Sequence, residues 1–413
     1  MRETGRFDIY RGLSVETKLL IYQSILPAVA YGMFYTDISY FLTSVQGLSY
    51  EFMGAVVTVM GVSTFAASIP LGVAADRYGR KKMLIAGNVI AGLIIALFAL
   101  TTDPTALLVA AVFEGVSEAA FSASSGALLA EKAADKQRNS VFALFGFAQS
   151  IAYGVGAIAI PGIVVFQLIG FTEKTSHALL YVVLGLLSLA STFVLIRLTE
   201  AKRKKPLPEA TAATKAAHKE SQKNLAKYVL TSAIIAFGAG MVVPLMTAWF
   251  SAAYGIPDTI SGPILGVSSL IIGVATLATP FLAKRMGLIK SIVVVQAAST
   301  VFMFLTPLSP NFALASSVYT VRAFLMNMAS PMSQSMIMGL VDEDVRGAAS
   351  GVNAALWRLP NALSTYVGAF FMDKGFLALP FYLASLLYAI SIGLFWYYFR
   401  KTKMPEEKPK NLL

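Results

Sequence analysis

The stretch GVAADRYGRKK, residues 72–82, connects two long apolar segments and combines two glycines, one acid and four bases. Gly79 permits a tight turn with positive φ, and Gly72 permits a neighbouring helix to approach closely. Asp76 places an anion at a helix end, where it can face the positive N-terminal end of another helix. A plain basic loop would anchor two membrane helices without glycines and an acid at fixed spacing. We therefore interpret this stretch as a structured turn that also packs.

Long apolar segments like those beside this turn recur along the whole chain. Of its 413 residues, 56% are hydrophobic and 13% are charged, whereas a soluble domain carries about 25% charged residues. A helix needs about 20 apolar residues to cross a bilayer. The sequence predicts an all-α polytopic membrane protein with twelve transmembrane helices, roughly at 19–45, 52–74, 83–101, 105–130, 140–167, 177–197, 228–253, 259–283, 290–307, 311–340, 347–372 and 376–399.

The distribution of basic residues predicts the topology. Arg322 and Arg358 lie inside apolar blocks, and Lys174 and Lys374 lie in one set of alternate loops. The other lysines and arginines lie near the termini and in the remaining loops, and such positive segments stay cytoplasmic. We therefore expect a plasma-membrane protein with both termini inside. The net charge of +11 is then a signal of topology in the lipid bilayer and not of binding to nucleic acid.

The two halves of the chain repeat each other. A basic segment at 197–227 separates an N-terminal six-helix bundle (1–196) from a C-terminal one (228–400), and 401–413 forms a cytoplasmic tail. Several residues recur 208 positions later, and a constant register across five helices indicates an internal repeat. The matching pairs are Gly32 and Gly240, Gly47 and Gly255, Arg77 and Arg285, Gly79 and Gly287, and Arg138 and Arg346.

The 72–82 stretch resembles the G-x-x-x-D-R-x-G-R-[RK]-x signature of the major facilitator superfamily. It follows the second helix, where that family has it, and the twelve helices, linker and repeat also match. The resemblance implies a major facilitator fold with substrate held between two pseudo-symmetric halves. It also implies a latch for the outward-open state, in which Arg80 reaches Glu131 and Asp76 faces the RGAASG segment at Arg346. The latch residues are Gly72, Asp76, Arg77, Gly79, Arg80 and Glu131.

Five ionisable residues lie within the apolar blocks away from their ends: Asp37, Glu114, Glu118, Arg322 and Arg358. A charge at the bilayer centre costs at least about 2.5–3.5 kcal/mol, so each should face the bundle interior and have a partner. Glu114 and Arg322 are 208 positions apart, and the repeat therefore predicts that they face each other across the cavity. In proteins that resemble this one, the first, fourth, seventh and tenth helices line that cavity.

The three acids are candidates for proton coupling. Glu118 lies in GVSEAAF, which is similar to a fourth-helix stretch of organic-anion:proton symporters, and some of those also hold an acid at the position of Asp37. Glu114 and Glu118 repel each other if both are ionised, because they are one helical turn apart. The alternative is that all three acids form fixed salt bridges that only hold the helices together.

Arg322, Tyr35, Met326 and Arg358 are the candidate substrate-binding residues. Methionine-rich and aromatic surfaces accept varied apolar ligands, but both residue types also fill ordinary cores. Arg322 is either a ligand for an anion or a counter-ion for an acid. Arg358 has a structural alternative, because the eleventh helix often lies behind the cavity in this family.

Together these features predict a proton-coupled secondary active transporter that works by alternating access. We expect export of amphipathic or cationic small molecules by proton antiport, with proton-coupled symport of an organic anion or another polar solute as the alternative. A receptor or scaffold without transport is disfavoured by the lack of a large soluble segment. An enzyme is disfavoured because no nucleophile–base motif or phosphate loop is present and His177 and His218 fall in loops. We expect a monomer without cofactor or metal.

The repeat makes a direct prediction about Glu114 and Arg322. Exchanging the two residues should preserve more transport than neutralising either one, because the exchange keeps one acid and one base in the facing pair. Transport by the E114R/R322E double variant should be compared with E114Q and R322Q at equal expression. A double variant as inactive as both single variants would contradict the facing arrangement.

Overall fold

The computed structural model describes residues 13–133, 138–199, 212–340 and 346–402, and these ranges contain helices and no strand. Side chains are described in the same ranges except at 138–140, 212–221, 272–281, 283, 338–340 and 346–356. The predicted all-α fold is confirmed. Among the described residues, nine helices are long and apolar enough to cross a membrane.

Twelve long helices follow the predicted blocks. Short helical pieces at Phe41–Val45, Gly162–Leu168, Val243–Leu245, Met246–Tyr254 and Thr306–Leu308 adjoin them. The long helices are α1 (Val15–Tyr40), α2 (Tyr50–Tyr78), α3 (Arg80–Leu100), α4 (Pro104–Lys132), α5 (Arg138–Ile158), α6 (Glu173–Ile196), α7 (Ala212–Gly240), α8 (Asp258–Met286), α9 (Leu288–Leu305), α10 (Phe312–Leu340), α11 (Arg346–Asp373) and α12 (Leu379–Phe399).

Side chains in the connections start four helices of the N-terminal half. Ser14, Ser49, Asp103 and Thr172 each accept a hydrogen bond from the backbone N–H three residues later, at 2.8–3.2 Å. These bonds satisfy backbone donors that have no partner within the helix. The caps fix the first turns of α1, α2, α4 and α6. Of these helices, α1 carries Asp37, α4 carries Glu114 and Glu118, and α6 carries His177.

The helices group into two compact units. The first comprises Met1–Lys204 and Ile256–Leu270. In it α1 packs on α5 and α6, and α4 packs on α2 and α3. The second comprises Lys205–Gly255 and Ile271–Leu413, with α7 packed on α11 and α12, and α9 on α10. The predicted bundle boundaries differ from these divisions and stay a prediction.

The first part of α8 is packed within the first unit. Gly266 and Gly154 allow the backbones of α8 and α5 to approach closely, because a Cβ added at Gly266 would lie 2.7 Å from the Gly154 carbonyl oxygen. Small residues at such contacts let helices pack in the absence of water. As a result, Asp258 at the start of α8 lies among residues of α1 and α6.

The internal repeat is visible in the backbone of both units. A Cβ added at Gly32 in α1 would overlap the carbonyl oxygen of Tyr153 in α5. A Cβ added at Gly240 in α7 would overlap the carbonyl oxygen of Asn361 in α11. Both partners are 208 positions apart, as are the two glycines. The same close helix approach therefore occurs at equivalent places in the two units.

Substituting Gly32 tests this close approach. We expect Gly32→Ala to lower the free energy of unfolding by about 1–3 kcal/mol, because the methyl group forces α1 and α5 apart. Thermal unfolding of the detergent-purified protein measures the change. Gly146→Ala is the matched control, since a Cβ there meets no atom of a described residue within 4 Å and alanine favours the helix. Equal unfolding temperatures for both variants would contradict the packing argument.

Candidate functional site

The carboxylates of Glu114 and Glu118 lie one turn apart on α4 and form the carboxylate pair of this site. Glu114 is fully buried and Glu118 is half-buried. The hydroxyl of Tyr35 on α1 donates to Glu114 Oε1 at 2.9 Å and lies 3.4 Å from Glu118 Oε2. One phenol therefore contacts both carboxylates, so the two acids belong to one hydrogen-bonded group.

A close approach between α2 and α4 gives Glu118 a second hydroxyl partner. A Cβ added at Gly115 would overlap the carbonyl oxygen of Met60, so only glycine permits this backbone contact. The contact brings Thr64 Oγ1 to 3.2 Å from Glu118 Oε2. Gly115 therefore lets the hydroxyl of Thr64 on α2 reach Glu118.

Aromatic side chains of α1 extend from the carboxylate pair. The rings of Tyr31 and Tyr35 stack with centroids 5.6 Å apart, and both residues are half-buried. The Tyr31 hydroxyl lies 3.2 Å from Ser117 Oγ, which donates to the Glu114 carbonyl oxygen at 2.7 Å. The site thus combines two carboxylates with two stacked aromatic rings, a combination that suits a cation with apolar parts.

Asp37 lies apart from the carboxylate pair, in a second cluster. Its Oδ2 atom is 3.8 Å from Nε2 of His177, and the same nitrogen is 3.1 Å from Oδ2 of Asp258. We call these three residues the buried triad, because all three are 0% exposed. Tyr181 donates to Asp37 Oδ2 at 2.9 Å. The structure therefore divides the three predicted proton-coupling acids between two clusters.

The prediction that His177 lies in a loop is wrong. It lies in the second turn of α6, because Thr172 caps that helix before the apolar run begins. Asp258 was not predicted as a site residue, because an acid in the first turn of a helix is expected from the helix dipole alone. The sequence signal for this cluster was that His177 and Asp258 both border apolar blocks. Their contact depends on how the helices pack.

Phe34 links the two clusters through α1. Its ring makes edge contacts with Tyr35 beside the carboxylate pair and with Tyr181 beside the triad. Beyond Asp37, α1 continues as a π-helical turn at Phe41–Val45, in which Phe41 stacks on His177 with centroids 5.3 Å apart. Such turns are frequent at functional sites. One helix therefore positions residues in both clusters.

Arg322 lies in an aromatic environment of the second unit. It is 4% exposed, its Nη2 donates to the Tyr388 hydroxyl at 2.6 Å, and its guanidinium lies over the rings of Tyr319 and Tyr388. Within the described part of the chain, Arg322 forms no ion pair, and its Nε has no hydrogen-bond partner. The facing arrangement with Glu114 stays a prediction.

The other predicted substrate-binding residues, Met326 and Arg358, are half-buried. Three further methionines of α10 belong to the hydrophobic core of the second unit: Met328, Met332 and Met336. These three recur every four residues and therefore occupy one helix face. The core interpretation of the methionine-rich helix accounts for them, while binding of substrate by Met326 and Arg358 stays a prediction.

The turn between α2 and α3 has the predicted local structure. Gly79 has φ of +110°, which confirms the predicted positive φ. Arg80 contacts Asp76 at 3.0 Å and Glu131 at 3.6 Å, so the predicted contact between Arg80 and Glu131 is confirmed. The Arg77 guanidinium lies 5.5 Å from the centre of the Tyr78 ring. These contacts connect the turn to the end of α4.

Two parts of the predicted latch are not seen in the described structure. A Cβ added at Gly72 would meet no atom within 4 Å, so no close helix approach occurs there among the described residues. The side chains of the RGAASG segment, 346–351, lie outside the described residues. The role of the turn as a conformational latch therefore stays a prediction.

Comparison with known families shows to which family the chain belongs. Residues 23–365 and 228–412 match the family model of the Major Facilitator Superfamily. The chain belongs to the major facilitator superfamily. This membership confirms the predicted family and the predicted transporter class, and the chain is a multi-pass membrane protein and not an enzyme.

Two relatives of this major facilitator protein have similar sequences. An uncharacterized membrane protein of Saccharomyces cerevisiae is 21% identical over an alignment of 386 positions. The match covers 81% of this chain and 86% of the yeast protein. A Na(+), Li(+), K(+)/H(+) antiporter of Planococcus maritimus is 32% identical over 139 residues. That second match spans only 32% of each chain.

Solved structures confirm the major facilitator fold. A bacterial homolog of the human lysosomal transporter Spinster matches with a TM-score of 0.75 and 12% identity, over 92% of this chain and 96% of that one. An auto-inhibited peptide transporter of the POT family matches with a TM-score of 0.75 and 11% identity, over 95% and 98%. The nucleoside transporter NupG matches with a TM-score of 0.73 and 14% identity, over 94% and 100%.

The positive φ of Gly79 makes a testable prediction. Gly79→Ala should lower the free energy of unfolding by about 1–3 kcal/mol, because the added Cβ strains a backbone conformation that favours glycine. Gly287→Ala should act in the same direction, since Gly287 is the repeat equivalent and has φ of +81°. Thermal unfolding in detergent measures both, and Gly72→Ala is the control. No difference among the three variants would contradict the strain argument.

Proposed function

We propose that this chain is a proton-coupled secondary transporter that exports amphipathic or cationic small molecules by proton antiport. The carboxylate pair carries the proposal, because Glu114 and Glu118 share the Tyr35 hydroxyl inside a membrane-spanning bundle. Buried acids in such bundles commonly mark proton or substrate pathways. The family fold supports alternating access as the way in which the two sides of the membrane reach this pair.

The hydroxyl groups around the carboxylate pair suit reversible protonation. A hydroxyl donates to an ionised carboxylate and accepts from a protonated one, so Tyr35 and Thr64 keep a hydrogen bond in both states. Glu118 is half-buried whereas Glu114 is fully buried. Glu118 is therefore the acid that exchanges protons with water, and Glu114 holds Tyr35 in place.

A cationic substrate competes with the proton at this pair. The stacked rings of Tyr31 and Tyr35 offer a π surface beside the acids, and a cation over an aromatic ring gains about 0.5–2 kcal/mol. Binding of the cation favours ionised carboxylates and releases the proton, and protonation releases the cation. The partial similarity to a cation/H(+) antiporter agrees with this direction of exchange.

Arg322 supports a second candidate function, the symport of a proton with an organic anion. Its guanidinium is buried, and its Nε has no hydrogen-bond partner in the part of the chain that the structure describes. A buried charge without an opposite charge nearby is costly, so an anionic group that pairs with Arg322 would be strongly bound. Met326 and Arg358 are the further residues proposed to contact substrate in either function.

We also propose a monomer in the plasma membrane with both termini cytoplasmic.

Proteoliposomes that contain a pH-sensitive dye separate the two functions. The internal solution is made acidic, and ethidium, Na⁺ or succinate is added outside. Antiport of a cation removes internal protons and raises the internal pH, whereas symport of an anion lowers it. Protein-free liposomes report passive leak. A response to none of these probes, together with no response in a thermal-shift screen of metabolites and lipophilic cations, would count against both functions.

Glu118→Gln tests the role of the carboxylate pair. The amide cannot take up or release the proton, so uptake driven by the pH gradient should fall to the level of protein-free liposomes. Exchange of labelled for unlabelled substrate without a gradient should be retained, because this exchange needs no net proton movement and Glu114 still offers a carboxylate to the cation. Glu51→Gln, at the start of α2, is the control and should retain both activities. Loss of both activities in Glu118→Gln would indicate a folding or binding role instead.

A further inference from the structure

The buried triad gathers three metal-ligating groups in the first unit. We propose that Asp37, His177 and Asp258 bind one divalent ion of a first-row transition metal. One oxygen of each carboxylate and Nε2 of the histidine lie within 4.8 Å of one another. The proposal does not depend on the transport chemistry above, since it uses neither residue of the carboxylate pair.

The spacing of the donor atoms fits a small ion. Zinc lies about 2.0–2.2 Å from nitrogen and oxygen ligands, so two ligands of a tetrahedral site are about 3.3–3.6 Å apart. His177 Nε2 lies 3.1 Å from Asp258 Oδ2 and 3.8 Å from Asp37 Oδ2. These two distances lie on either side of the tetrahedral value, so shifts of a few tenths of an ångström bring these two donor pairs to that value.

The histidine is oriented as a metal ligand. Its Nδ1 lies 2.9 Å from the backbone carbonyl oxygen of Glu173, which can only accept, so Nδ1 carries a hydrogen. Nε2 lies within hydrogen-bond distance of Asp258 Oδ2, at 3.1 Å, and a metal ion bound here would take the place of the hydrogen on Nε2. Metal-binding histidines usually have such a carbonyl partner at the other ring nitrogen. Stacking with Phe41 holds the plane of the ring.

Charge and unsatisfied atoms both indicate a bound cation. Oδ1 of Asp37 and Oδ1 of Asp258 are buried and have no hydrogen-bond partner among the described residues, although most buried polar atoms have one. His177 is the only basic group within ion-pair distance of either aspartate in the described part of the chain. Two buried carboxylates are costly without compensation. One divalent ion neutralises both and supplies a partner for their free oxygens.

The chemistry of the donors selects the class of metal. One imidazole nitrogen and two carboxylate oxygens suit zinc, manganese, iron or cobalt, whereas copper(I) prefers sulfur and calcium needs six to eight oxygens. The bound ion would join α1, α6 and the first turn of α8, which all belong to the first unit. It should therefore stabilise that unit. The sequence predicts no metal site, since these three residues come from separate segments.

Metal binding to the purified full-length chain tests the proposal. The protein carries an affinity tag without histidine and is treated with a chelator before titration with Co²⁺ or Zn²⁺. We expect one equivalent per chain, the intense visible bands of tetrahedral Co²⁺, and a higher unfolding temperature with Zn²⁺. Failure of Co²⁺ and Zn²⁺ to bind saturably, or equal stabilisation by Mg²⁺ or Ca²⁺, would overturn the proposal.

Single substitutions locate the binding site. His177→Gln and Asp258→Asn should each lower the affinity for Zn²⁺ more than about 100-fold, because each removes a direct ligand. His218→Gln is the matched control, since His218 is the only other histidine of the chain, and it should bind as the wild type does. His177→Cys should restore binding of Zn²⁺ through the thiolate, which separates loss of a ligand from misfolding. Unchanged affinity in His177→Gln, or loss in His218→Gln alone, would sink the assignment.

Discussion

Burial of carboxylates among apolar helices is the constraint that organises the first unit. Asp37, Glu114 and Asp258 are all 0% exposed, and an isolated ionised carboxylate in such surroundings is too costly to persist. The fold surrounds these carboxylates with hydroxyl groups and one imidazole brought from neighbouring helices, which lower part of this cost. Each of these partners arrives because a helix packs closely enough, and the close packing depends on small residues such as Gly115.

The two units share a backbone plan but differ in chemistry. Gly32 and Gly240 make the same close helix approach, whereas Glu114 and its repeat equivalent Arg322 carry opposite charges. The partners differ accordingly. Glu114 accepts a hydrogen bond from a phenol, and Arg322 donates to a phenol while its guanidinium lies over two rings. The repeat therefore places the two charges at equivalent positions. The tyrosine hydroxyl beside each charge donates to the acid and accepts from the base.

Helix α1 joins two chemically distinct clusters. Tyr35 contacts the carboxylate pair and Asp37 belongs to the buried triad, although the two residues are only two positions apart. They can serve separate clusters because successive positions point in different directions around a helix. Phe34, which is fully buried, contacts Tyr35 beside the carboxylate pair and Tyr181 beside the triad. Movement of α1 would therefore affect both clusters together.

The sequence by itself determined the helices, the family and the repeat, because length, apolar content and a constant offset of 208 are properties of the chain alone. It also predicted the positive φ of Gly79 and the contact of Arg80 with Glu131, since both depend on one turn and adjacent helix ends. Only the tertiary structure brought Asp37, His177 and Asp258 together. Their contact depends on the packing of three helices that are far apart in sequence, and no local pattern specifies it.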